Sequence, residues 1–206
     1  MKRSPSSPPA ADHGPRSPAW LWAIATAWLL AALSAVQTGA LSALGRQLMP
    51  GYALLVALGI VVPTVAYFGV ARLRHDIDGI GLHGLTLMHA WRIPAALMFF
   101  HYGLQGQLPA LFWILAGVGD LLAGAYALTV VGRRRSDDHY RRIHRFGFAD
   151  FIVAVGTGLT FTLLGDPRME LLTTLPMALI PLFGVGLSGA SHIVALYTLR
   201  RRARSV

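Results

Sequence analysis

The chain has 206 residues, of which 54% are hydrophobic and 13% are charged, with a formal net charge of +9 and mean hydropathy +0.54. A water-soluble domain carries about a quarter charged residues; this chain has too few to cover a water-facing surface, which excludes that class and predicts an integral membrane protein in a lipid bilayer. The basic residues fall in clusters at the edges of apolar runs, where they set orientation in a bilayer, so the positive charge is not read as nucleic-acid binding, and the absence of cysteine excludes disulfides and thiolate chemistry.

Residues 1–18, MKRSPSSPPAADHGPRSP, are rich in Pro, Ser and Ala and predict a disordered cytoplasmic tail. Six apolar runs follow, at about 19–40, 52–72, 81–102, 109–132, 147–165 and 172–199. Each approaches the roughly 20 residues that a helix needs to cross a bilayer. The first run is longer than the apolar core of a signal peptide and predicts a retained transmembrane helix. Helices are required because lipid leaves backbone polar groups without partners. The expected fold is all-α: a polytopic transmembrane bundle over residues 19–200 with six spans, closed by a basic cytoplasmic tail at 201–206. The short, uncharged connection at 103–108 predicts that the third and fourth helices are antiparallel neighbours.

Placing both termini in the cytoplasm gives that side Lys2, Arg3, Arg16, Arg72, Arg74, Arg133, Arg134, Arg135, Arg141, Arg142, Arg145, Arg200, Arg201, Arg202 and Arg204. The opposite side receives Arg46 and Arg168. The asymmetry predicts an N-in, C-in protein of a bacterial inner membrane.

Ionisable residues inside a membrane are expensive and mark functional sites by default. The third run carries His89 and Arg92, the fourth Asp120, the fifth Asp150, and the sixth His192 with Ser188 and Ser191. At 1.5 Å per residue, Arg92, Asp120 and His192 lie roughly 12–18 Å from the inner helix ends, with His89 shallower and Asp150 about 5–8 Å in. His101 falls toward the outer interface. Small residues share the faces of these groups, as Gly117, Gly124 and Ala127 do with Asp120, so the polar side chains are expected to look inward. Pro94, Pro176 and Pro181 free backbone carbonyls or kink their helices.

The stretch Gly184–His192, GVGLSGASH, contains a G-x-S-G string with a histidine four residues past the serine. With six helices, it resembles the rhomboid intramembrane proteases. Their serine and histidine come from different helices, whereas Ser188 and His192 share one, so the small residues are read as helix packing. His89 and His192 also suggest two imidazoles for a bis-histidine haem b, or two zinc ligands completed by Asp120 or Asp150. Neither cofactor is the expected one, because no H-x-x-x-H or H-E-x-x-H string is present and Arg92 has no task in either site. Simple charge pairing, Arg92 with Asp120 and His192 with Asp150, would make the cluster a structural scaffold. A proton or small-solute pathway needs titratable groups beside a cavity. That role is the leading active one, with a membrane enzyme or histidine cofactor protein and a scaffold as alternatives.

Arg92-Ile93-Pro94, Leu108-Pro109, Asp120 with Gly124 and Ala127, Gly147-Phe148-Ala149-Asp150, and Leu175-Pro176, Pro181, Phe183, Val185 and His192 form one further pattern. Over roughly residues 90–200 it resembles an uncharacterised family of bacterial six-helix membrane proteins with no known activity. In that family an acidic residue often follows the Arg-containing stretch, where this chain has Ala95 and Ala96. The resemblance implies that the Arg, Asp, Asp and His positions act as a set.

The orientation is tested by fusing a reporter active only in the periplasm. Fusions after residues 106 and 168 are expected to be active, and fusions after residue 138 or at the C-terminus silent. The opposite pattern would move the polar residues to the outer half.

Overall fold

The computed structural model describes residues 18–41 and 49–204. The expected N-terminal tail, apart from Pro18, lies outside them, as do Arg46 and the last two residues. Among the described residues there is no strand. In chain order the elements are α1 (Ala19–Gln37), α2 (Met49–Gly69), α3 (Ala71–Leu87), a 3-10 turn (Met88–Trp91), α4 (Arg92–Leu104), α5 (Ala110–Leu128) and α6 (Asp137–Leu163). A second 3-10 turn (Pro167–Thr173), a π turn (Ile180–Gly184) and α7 (Val185–Arg204) complete them. Among the described residues, five stretches are long and apolar enough to cross a membrane: Ala19–Gln37, Gly51–Gly69, Ala110–Leu128, Asp137–Leu163 and Ile180–Arg204.

Polarity is distributed as lipid requires. Trp22, Leu54, Val65, Leu97, Leu111, Leu122, Ile152 and Leu163 are exposed, while His89, Arg92, Asp120, His144, Ser188 and His192 are buried. A multi-pass membrane protein has this arrangement, since hydrocarbon accepts the apolar side chains and polar groups must find partners inside.

Several expected boundaries differ, each for a local reason. The run at 81–102 is not one helix. Gly81 takes φ +70°, which divides α3 into a polar first part and an apolar second part. The chain from Leu82 to Leu104 then tightens to 3-10 geometry at Met88–Trp91 before α4. Pro94 explains the tightening: its ring has no N–H for the carbonyl of Ala90 and crowds it. The fourth helix ends at Leu128 rather than 132. α6 begins at Asp137, ten residues before the expected 147. Ser136 caps it, its side chain accepting from the His139 N–H at 3.3 Å, and Asp137 and Asp138 occupy the first turn. The run expected at 172–199 is interrupted between the second 3-10 turn and the π turn, which includes Pro181, and its apolar stretch starts at Ile180.

α4 and α5 form an antiparallel hairpin across the 103–108 connection, and α5 packs on α6. α7 lies against α2 and α6. The start of α6 meets the end of α7 through Arg202 and Asp137, 3.1 Å apart. At the other end the Tyr52 hydroxyl donates to the Leu172 carbonyl at 2.6 Å. Two apolar clusters occupy these ends. One includes Tyr67, Leu82, Val130, Tyr140, Ile143 and Leu199. The other includes Phe99, Leu108, Phe112, Met169, Met177 and Ile180. The buried polar residues fall between the clusters along the chain.

Close backbone approach holds α7 in place. A Cβ on Gly186 would stand 2.5 Å from the Gly59 carbonyl oxygen and 2.5 Å from the Trp28 ring. The gap is filled by backbone, so α2 and α7 can touch only where a side chain is missing. Gly186→Val is expected to lower stability by about 1–3 kcal/mol through overpacking. Detergent thermal unfolding checks this; an unchanged midpoint would show that the contact is not tight.

Candidate functional site

Arg92 opens α4, and its guanidinium reaches two other helices. Nε donates to Asp120 Oδ1 on α5 at 2.5 Å, Nη2 donates to Asp150 Oδ2 on α6, and Nη1 donates to the Gly147 carbonyl at 3.2 Å. The Arg92 side chain is 2% exposed and each carboxylate 9%. Glycine makes room for the arrangement. A Cβ on Gly119 would fall 1.5 Å from Asp150 Oδ1, so Asp150 occupies the space that a side chain there would fill. With both carboxylates ionised, one positive charge faces two negative ones, leaving a net −1 in a low-dielectric interior. Buried charge of that kind is stable only when paired or neutralised.

The second half of the site is a group of three imidazoles. His89 comes from the 3-10 turn, His144 from α6 and His192 from α7, and all three are fully buried. His89 and His192 stack with centroids 3.9 Å apart and planes at 15°. His144 stands edge-on to both, with centroids at 5.5 and 5.2 Å. Neighbouring hydroxyls set the tautomers. Thr86 Oγ1 donates to the Leu82 carbonyl at 2.6 Å and lies 3.0 Å from His144 Nε2. Its one proton is committed, so it accepts from an Nε2–H and leaves His144 Nδ1 as a lone pair. Ser191 Oγ donates to the Ser188 carbonyl at 2.9 Å and lies 3.0 Å from His89 Nε2. By the same logic His89 Nδ1 is a lone pair. His144 Nδ1 and His192 Nδ1 are 3.0 Å apart, so His192 donates there and keeps a bare Nε2. His89 Nδ1 and His192 Nε2 are the two buried side-chain polar atoms without a hydrogen-bond partner among the described residues.

Gly147 joins the two halves. A Cβ there would lie 2.9 Å from His192 Nε2 and 3.5 Å from Arg92 Nη1. Above the pair, Trp91 Nε1 donates to Ser188 Oγ at 3.1 Å. A cavity of about 120 Å³ has Trp91, Arg92, Asp120 and Ser188 in its lining. Its walls are otherwise mostly apolar, with Val56, Phe99, Phe112, Phe151, Val155 and Ile180 among them.

Arg92, Asp120 and Asp150 therefore come together, and His89 and His192 meet beside them. The expected His192–Asp150 pair does not form; Asp150 is held by Arg92, and His192 faces His144. Asp150 also lies farther from the start of its helix than expected, because α6 begins at Asp137. Ser188 serves Trp91 rather than His192. His101 lies apart, 3.1 Å from Gln105 on an exposed helix end. The stacked His89 and His192 rings do not face each other across a gap, as the axial ligands of a bis-histidine haem must. The third nitrogen beside them is from His144, not from an aspartate. His144 and Thr86 were missed by sequence reasoning, His144 because Arg141-Arg142-Ile143-His144-Arg145 looked like a loop. The Ser136 cap and the spacing of Tyr140, Ile143, Gly147 and Phe151 on one helical face were the available signals.

Arg92→Met is expected to destabilise the protein by about 3–5 kcal/mol, since it leaves two buried acids without their common partner. Arg92→Met with Asp120→Asn should recover only part of this, and adding Asp150→Asn should recover the rest. Asp120→Asn alone leaves the Arg92–Asp150 pair neutral and should be tolerated. Detergent thermostability of the series checks the order; full recovery in the double variant would mean that Asp150 is not held by Arg92.

No curated protein and no solved structure matches the chain significantly. A family model described as a domain of unknown function (DUF8737) matches residues 49–200. The chain belongs to that family, over a stretch that runs from α2 into α7 and holds every residue of the polar layer.

Proposed function

We propose that the chain is a six-span, N-in/C-in protein of a bacterial inner membrane that carries protons, alone or with a small solute, through the Arg92–Asp120–Asp150 centre. The sixth span is the helical chain from Leu82 to Leu104, which at helical rise reaches about 35 Å, enough for a bilayer core. The orientation rests on the basic residues: Arg72, Arg74, Arg133–Arg135, Arg141, Arg142, Arg145 and Arg200–Arg204 flank one set of helix ends, against Arg168 at the other.

The observation that carries the reading is a cavity with mostly apolar walls whose lining includes Arg92 and Asp120. The centre has one more acidic than basic group, so its neutral form holds one proton between the carboxylates. Arg92 grips both acids at once and can keep hold of one while the other is protonated. A proton arriving from the cavity can therefore bind without stranding a charge. Groups facing the centre from the packed elements are His192, Trp91, Ser188 and the Gly147 carbonyl. On this reading the apolar cluster of Tyr67, Leu82, Tyr140 and Leu199 would act as the barrier on one side of the centre.

The test uses the full chain in liposomes with an internal pH-sensitive dye and a potassium diffusion potential, negative inside. Wild-type vesicles should acidify faster than empty ones, and Asp150→Asn, which keeps the Arg92–Asp120 pair, should fall to the empty-vesicle rate. Equal rates in wild-type and empty vesicles would contradict the proposal.

A further inference from the structure

Beyond the proton reading, we propose that His89, His144 and His192 form a binding site for one divalent transition-metal ion of the zinc class. One ring nitrogen from each lies within 4.8 Å of the others, and the three rings come from three separate elements. Imidazole sets without thiolate suit zinc, copper, iron and nickel. In a tetrahedral zinc site, Zn–N bonds of 2.0–2.1 Å put ligand nitrogens about 3.3 Å from one another. His144 Nδ1 and His192 Nδ1 already stand at 3.0 Å.

Proton placement is the independent observation. A metal-ligating histidine donates its other N–H to an outer partner, which fixes the ring and the tautomer. Two of the three have such a partner. His144 Nε2–H is held by Thr86, and His89 Nε2–H by Ser191, and each hydroxyl is locked as an acceptor by its own donation to a helix carbonyl. Both rings thus carry a bare Nδ1, and that of His144 faces His192. His89 Nδ1 has no partner. An ion bound by the three Nδ1 atoms would use the His89 and His144 lone pairs, and His192 would shift its proton from Nδ1 to Nε2. The His89–His192 stack at 3.9 Å must open slightly for both rings to aim at one ion. Arg92 is the charged group that faces the histidines across Gly147, and its charge is taken up by Asp120 and Asp150. Three imidazoles leave a fourth position for a water or a small anion.

The test strips the purified full-length protein with chelator and titrates it with Co2+, followed by its visible absorption, with Zn2+ as competitor. One ion per chain is expected. His144→Ala should abolish the cobalt spectrum. Thr86→Val keeps all three ligands and removes only the outer partner of His144, so affinity should fall by about 10–100-fold. Asp150→Asn, which stops proton movement on the reading above, should still bind one ion. Wild-type protein that takes up no cobalt, or a folded His144→Ala that binds like wild type, would overturn the proposal. If His144→Ala does not fold, Thr86→Val decides, and unchanged affinity there overturns it.

Discussion

The two-sided grip of Arg92 on Asp120 and Asp150 is the constraint on which the rest of the bundle depends. A guanidinium that is 2% exposed has no water to turn to, so α5 and α6 must bring their carboxylates to it. That requirement explains Gly119, whose missing side chain leaves the place taken by the Asp150 carboxylate. It also explains Gly147, which gives its carbonyl to Arg92 and leaves room for the His192 ring. The pairing is not a source of net stability by itself, because removing charges from water costs about as much as the pairing returns. Its effect is to fix which helix faces can meet.

Around this centre the protein is built in layers. Apolar clusters occupy the two ends, and titratable groups lie between them. Outer surfaces are aliphatic. Glycine at 186 allows α2 and α7 to approach closely enough that its Cα faces the Gly59 backbone. The order of polarity is the reverse of a soluble domain, and it follows from the solvent: hydrocarbon penalises an unpaired polar group and is indifferent to leucine.

Much of this was legible in the residues. Composition gave the membrane class, and intramembrane charge picked out Arg92, Asp120, Asp150, His89 and His192, which the structure gathers in one region. Helix limits were less legible where local chemistry outweighed hydropathy. Pro94 tightens the chain ahead of it, so the third apolar run is not a single helix. The polar start of α6 hid His144, because Arg141, Arg142 and Arg145 around it have the composition of a loop while the Ser136 cap and acidic first turn start a helix. Partner choice was not legible at all. Sequence spacing says that His192 looks inward, but only the rotation of α6 decides that it meets His144 while Asp150 turns to Arg92.

The central claim is that the Arg92 centre carries one proton to balance its second carboxylate. Infrared difference spectroscopy of the protein in lipid, comparing wild type with Asp120→Asn and Asp150→Asn, tests it most directly. The account predicts a C=O stretch of a protonated carboxylic acid in wild type that is lost in at least one of the two variants. A wild-type spectrum without that band, with both carboxylates ionised at neutral pH, would contradict it.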